Sequence, residues 1–308
     1  MNIETMNRSG DYLAESPPKP TFEETSTVQA VPEAPSALEW VELEPGKIIV
    51  ATGGRAWLHQ PAFLGGADPF TMPMQSAGSL DSTRNLLEGA VAAAQRPALD
   101  SAQRPALTLL RWVWRLAGYY HTTHATPPLM GEAAELFSKR GRDDLAAYSR
   151  EKVRDETGHD KLALADLKSL GYPAEEVVKI LVPPTAQTLV DYFEDAVRGA
   201  HAIRCIGYAY ALERLATSMD GDYVAKVEAL IPEGVRATRC LRLHSGIGAD
   251  VDHVEDAVEV TARQPAEDRA RIVRATYETA RIMFTAPPEG HVSEEALQER
   301  LSAIKHRH

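Results

Sequence analysis

Asp155-Glu156-Thr157-Gly158-His159-Asp160 ends a helix-forming run that begins near Asp143 and continues into Lys161-Leu162-Ala163-Leu164-Ala165-Asp166. At about 100° per residue, Glu156 and His159 lie about 60° apart on one helix face, with Lys152 and Lys161 expected to face out. A carboxylate and an imidazole at this spacing can bind one metal ion, although a charged surface helix carries the same letters. Two later segments give the pair meaning. Glu213 closes Tyr208-Ala209-Tyr210-Ala211-Leu212-Glu213 on a largely apolar face, so its carboxylate needs an ionic partner, such as Arg204 or Arg214, or a function. His244, Asp250 and His253 follow in a third segment, with Asp250 and His253 sharing a face at i, i+3. His244 lies about 180° from His253 on an ideal helix and joins it only where that helix is interrupted. Gly246 and Gly248 supply the means, since each costs a continuous helix roughly 1 kcal/mol relative to alanine.

From Pro105 onward the text is almost entirely helical. Leu107 to Tyr120 is apolar nearly all round, as a bundle-interior helix should be, and Pro127-Pro128 is expected to stop or kink the helical run beyond it. Further helices are expected over 129–140, 143–168, 174–181, 185–219, 221–230, 233–262 and 266–285. Such a succession without alternating strand patterns means an all-α bundle. Residues 1–45, rich in Pro, Glu, Ser and Thr, are expected to form a disordered tail. Residues 46–104 open with the β-branched Lys47-Ile48-Ile49-Val50-Ala51-Thr52 and are read as an extended arm and loop region packing on the core. The helical metal-binding domain is then 105–286, and 287–308 a charged C-terminal tail with one short helix from Ser293 to Lys305.

A chain of 308 residues with 44% apolar content can bury a substantial core. Its net charge of −11 and pI near 5.4 argue against a general nucleic-acid or anionic-membrane binder and favour small-molecule or protein partners. No run approaches the ~18 apolar residues of a membrane span, and Met1-Asn2-Ile3-Glu4 lacks the design of a signal peptide, so a cytoplasmic protein is expected. Cys205 and Cys240 cannot make a disulfide framework and read as buried thiols.

The order Glu156-x-x-His159 with the helix-forming text through Gly171, then Gly207 to Glu213, then His244 with Asp250-Val251-Asp252-His253, resembles the haem-oxygenase-like iron-containing oxidases. These are relatives of the TenA thiaminase and PqqC folds that bind two non-haem irons rather than haem. The resemblance covers about residues 105–286. It implies a haem-oxygenase-like seven-helix bundle with a mostly irregular N-terminal extension, Fe(II), two per chain, and dioxygen as co-substrate. Substrates would be amino acids or fatty acids, with N-oxygenation or oxidative C–C cleavage as the reaction, in specialised metabolism. A homodimer is the family's habit, and a separate electron donor is a further partner it allows.

Carried over, Glu156 and His159 would ligate from one core helix, Glu213 from the next, and Asp250 and His253 from the third, with Glu156 and Glu213 at the reacting centre. The chain departs from the family twice. Gly246 stands where the family has a third-helix histidine, with His244 displaced by two, and His121 or His124 stands near the place of a first-helix glutamate, with Glu132 and Glu135 as weaker candidates. Tyr119, Tyr120, Tyr208 and Tyr210 are expected near the pocket, and Arg111, Arg115 or Arg204 could clamp a substrate carboxylate bidentately. Two other readings compete: a metal-free TenA- or PqqC-like enzyme using acid–base residues in the same cavity, and a non-catalytic helical interaction protein.

Overall fold

The computed structural model of the chain describes residues 38–61, 68–75, 78–101, 105–247, 251–285 and 292–305. Three short strands, β1 (Glu39–Glu44), β2 (Lys47–Ala51) and β3 (Ala56–His59), form an antiparallel sheet in that order. The β1–β2 turn needs Gly46, whose φ of 76° a side chain would oppose. Strand β2 buries Ile48, Ile49, Val50 and Ala51 almost completely. Strand β1 corrects the expected disordered tail at residues 39–44, while residues 1–37 of it lie outside the described residues. Val41 and Leu43 point inward in a period of two while Glu42 points out, a pattern masked by the Pro-rich text before it.

Twelve α-helices are seen among the described residues: α1 (Leu80–Ser101), α2 (Leu109–Lys139), α3 (Asp143–Glu156), α4 (Asp160–Ser169), α5 (Ala174–Ile180), α6 (Pro184–Arg198), α7 (Arg204–Thr217), α8 (Gly221–Glu228), α9 (Arg239–His244), α10 (Val251–Ala262), α11 (Ala266–Phe284) and α12 (Glu294–Lys305). The all-α class holds. Helix α1 replaces part of the expected extended arm: Leu86, Leu87, Ala90, Val91 and Ala94 recur at helical spacing and are buried. Helix α2 runs through Pro127 and Pro128 where a stop or kink was expected. Packing against α3 and α6 holds it, and the hydroxyls of Thr122, Thr123 and Thr126 bond back to carbonyls of the preceding turn. Three expected long helices are each divided, into α3 and α4, α6 and α7, and α9 and α10.

Two cores result. The larger draws buried residues from α1, the second half of α2, α3, α6, α7, α10 and α11, together with the sheet. The smaller gathers Trp112, Val113, Leu116 and Ala117 of early α2 with residues of α4, α5, α8, α9 and α12, so the C-terminal tail is anchored through Leu297, Leu301 and Ile304. The sheet is tied to the bundle by Glu39, which accepts from Arg269 Nε and Nη2 of α11 at 2.8 and 2.7 Å and from the Ser82 hydroxyl of α1. No helix among the described residues is long and apolar enough to cross a membrane.

Candidate metal centre

Helix α3 carries Tyr148, Lys152 and Glu156 at successive i, i+4 steps, which places three polar side chains on one stripe. All three are buried. Lys152 donates from Nζ to Oε1 of Glu213 at 2.7 Å, and its Nζ stands 5.7 Å from the centroid of the Tyr148 ring. The expectation that Lys152 faces out is therefore corrected. Four residues from Glu156, it is turned only about 40° from it around the axis. Lys152 is also the partner of Glu213 in place of the expected Arg204 or Arg214, which pair with Asp195 and Glu88.

Glu156 and His159 meet, but not along one helix. Helix α3 ends at Glu156, and Gly158, at φ 95°, turns the chain so that α4 starts at Asp160. Across this break His159 Nδ1 lies 3.0 Å from Glu156 Oε2. His244 is the last residue of α9, and its ring centroid is 4.9 Å from that of His159 at an interplanar angle of 73°. The chain leaves α9 through a contact only glycine allows. A Cβ on Gly246 would sit 2.5 Å from the carbonyl oxygen of Thr217, while its N–H donates to the Met219 carbonyl at 2.9 Å. Gly248 and Asp250 lie outside the described residues.

Two ligand groups emerge among the described residues, Glu156 with His159 and His244, and Glu156 with Glu213 and His253. In each, the donor atoms lie within 4.8 Å of one another, and Glu156 is common to both. His253 also has Nε2 3.6 Å from Asp155 Oδ2, within ion-pair reach though beyond a direct hydrogen bond. Burial pushes the Glu213 carboxyl above its ordinary value, opposed by Lys152 and reinforced by the neighbouring Glu156. Burial, with the charge of Glu213 behind it, also raises the Tyr148 hydroxyl well above the usual tyrosine range. The donors fit a divalent ion: Glu213 Oε2 is buried with no hydrogen-bond partner among the described residues, an anionic oxygen that a cation would satisfy. Mixed carboxylate and imidazole donors suit iron, manganese or zinc.

A cavity of about 490 Å³ opens against these groups, with Lys152, Glu156, Glu213 and His244 in its wall. Trp114, Tyr119, Leu212, Leu215 and Met219 make much of it apolar, Tyr208 lines it, and Arg111 and Arg115 supply cations. Its axis follows α2. Helices α2 and α3 form an antiparallel hairpin, since Gly131 faces Val153 and His124 faces Asp160, so Glu156 stands near Thr126 and Met130. Arg115 is eleven residues before Thr126, about 16 Å along the helix at 1.5 Å per residue.

Other expected residues lie elsewhere. His121 turns to the Leu181 carbonyl at 3.2 Å, where burial lowers its affinity for a proton, and borders a separate small pocket with His124, Glu194 and Arg198. The exposed His124 pairs with Asp160 and stacks on Tyr120. Neither histidine joins a ligand group, because the face of α2 that carries them looks towards the α5–α6 link and the start of α4 rather than the cavity. Tyr120 is drawn to the same place, Tyr210 donates to Glu88 of α1, and Arg204 pairs with Asp195, so none of the three lines the cavity. Glu132 and Glu135 form surface pairs with Arg198 and Lys139. Lys152 and Asp155 were missed as site residues, although the four-residue step from Lys152 to Glu156 was there to read.

No protein-family model matches the chain, and no curated protein does. Among solved structures, a domain of unknown function with a heme oxygenase-like fold from Shewanella denitrificans OS217 aligns at a TM-score of 0.54 with 19% identity, over 71% of this chain and 92% of that one. A TenA homolog from Pseudomonas syringae pv. tomato DC3000 aligns at 0.52 with 12% identity, over 76% of this chain and all of that one. At such identities the likeness speaks for architecture alone. The chain has the haem-oxygenase-like all-α fold, extended at its N-terminal side by a small sheet.

Proposed function

We propose that the protein is a non-haem iron-dependent oxidase or oxygenase that uses dioxygen on a small carboxylate-bearing molecule, an amino-acid-derived or acyl compound. The observation that carries this reading is the pair of ligand groups sharing Glu156 in the wall of a largely apolar cavity. Bound ferrous iron would supply the electrons for reaction with dioxygen. The chain's own residues would do the rest. Arg115, whose guanidinium meets the Tyr223 hydroxyl, would hold the substrate carboxylate with Arg111, and the apolar wall would lay the substrate's body along α2 towards Glu156 and exclude water. Asp155 would orient His253.

The test is anaerobic titration of the full chain with ferrous iron, followed by desalting, metal analysis and an optical scan on admitting air. Binding that is lost in His159→Ala supports the reading. Absence of bound iron, or binding indifferent to that substitution and to Glu156→Gln, overturns it. The Lys152–Glu213 pair favours a second reading, since it partly balances charge in the cavity without a metal, as an acid–base enzyme of the TenA kind would need. That reading requires turnover in thoroughly chelated protein.

A further inference from the structure

The two ligand groups differ in one cation that the chain itself provides. We propose that the Lys152 ammonium occupies the place of a second metal ion at Glu213, so that the chain holds one divalent ion, at Glu156, His159 and His244, and admits a second only when Lys152 is removed. This rests on the metal reading above. Lys152 is 2% exposed and Glu213 9%, so theirs is not a pair of solvated surface charges. Nζ covers Oε1 of Glu213 at 2.7 Å, while Oε2 is buried and without a hydrogen-bond partner among the described residues.

Charge then decides the occupancy. Glu156 and Glu213 are the carboxylates of the two groups among the described residues and carry two negative charges between them. One divalent ion beside the ammonium leaves a single net positive charge. Two divalent ions beside it leave three, or two with the partly exposed Asp155 carboxylate beside His253 counted, within a few ångströms in the cavity wall. The ammonium is flanked along its own helix. It is carried on the middle of α3, one turn from Glu156 on one side and from the Tyr148 ring on the other, with that ring 5.7 Å away. The group of His159 and His244 is assembled from helix ends rather than a packed helix face.

The experiment uses the full chain, loaded anaerobically with Fe(II) and, in parallel, with Co(II), whose visible bands report each ion bound. The wild type should retain one ion per chain, Lys152→Met two, and the double variant Lys152→Met with Glu213→Gln one again. Retention of two ions by the wild type overturns the proposal, as does retention of one by a Lys152→Met protein with unchanged circular dichroism. Absence of metal from every variant overturns the metal reading itself and the proposal with it. Should Lys152→Met fail to fold, two wild-type sites of affinity within ~10-fold of each other would be equally fatal, because the ammonium should separate them by more than an outer-shell change does.

Discussion

Glu156, His159 and His244 come together where three helices end, whereas Glu213 and His253 reach the same carboxylate from within α7 and α10. The contrast is between a ligand group made by breaks in the chain and one made by helix faces. Ends free the side chain from the crowding of its own turns, so two imidazoles can approach at 4.9 Å. Faces pack tightly, and the face that offers Glu213 also meets a lysine that partly neutralises it. The first group is therefore the better built to receive an ion, and the second the better built to stay closed.

Glu156→Gln breaks the comparison most completely, because it removes the one donor both groups share. Metal retention after desalting should fall ~100-fold or more, beyond the 10–100-fold that loss of an outer partner causes, while the fold persists because a similar volume remains. Retention equal to wild type would mean that neither group binds metal. Gly207→Ala comes next and acts through packing. Its Cβ would stand 2.2 Å from the Ile272 carbonyl oxygen and 2.8 Å from the Thr276 nitrogen, so α7 must move off α11 and take Glu213 with it. A cost of about 1–3 kcal/mol is expected from such overpacking, read as a lower melting temperature. The ion at His159 and His244 should be retained.

The helix-face group was the more legible in the sequence. An apolar face with one carboxylate marks Glu213, and the four-residue step to Glu156 marks Lys152, although the abundance of charge around it disguised an inward lysine. Glu156 and His159 were paired for a reason the structure replaces. Their three-residue spacing suggested one helix, yet Gly158 is a glycine just past a helix end, where positive φ is common. His244 was legible only as a condition, that the helix be interrupted. His121 and His124 were not legible at all as outsiders, since which face of α2 meets the cavity depends on α5 and α6, far along the chain. The strand β1 was hidden by composition, although Val41 and Leu43 alternate within it.

Gly158→Ala sharpens the break-built group alone. At φ 95° an alanine is strained by about 1–2 kcal/mol, and the chain relieves it by turning His159 away from His244. Metal affinity should fall ~10-fold with a small loss of melting temperature. An unchanged affinity would show that His159 does not bind the ion.

Tyr148→Phe should have the smallest effect and probes the packed side of the comparison. The Tyr148 hydroxyl is buried with no hydrogen-bond partner among the described residues, so its removal forfeits no bond and relieves an unsatisfied polar atom. The ring that faces Lys152 is retained, and so is its attraction for the ammonium. Thermal unfolding should place the variant within about 0.5 kcal/mol of the wild type, on the stabilising side. A loss above ~1 kcal/mol, the worth of a typical hydrogen bond, would mean that the hydroxyl is bonded in solution. The polar stripe of α3 would then be wet, and the charge argument that reserves Glu213 for Lys152 would weaken with it.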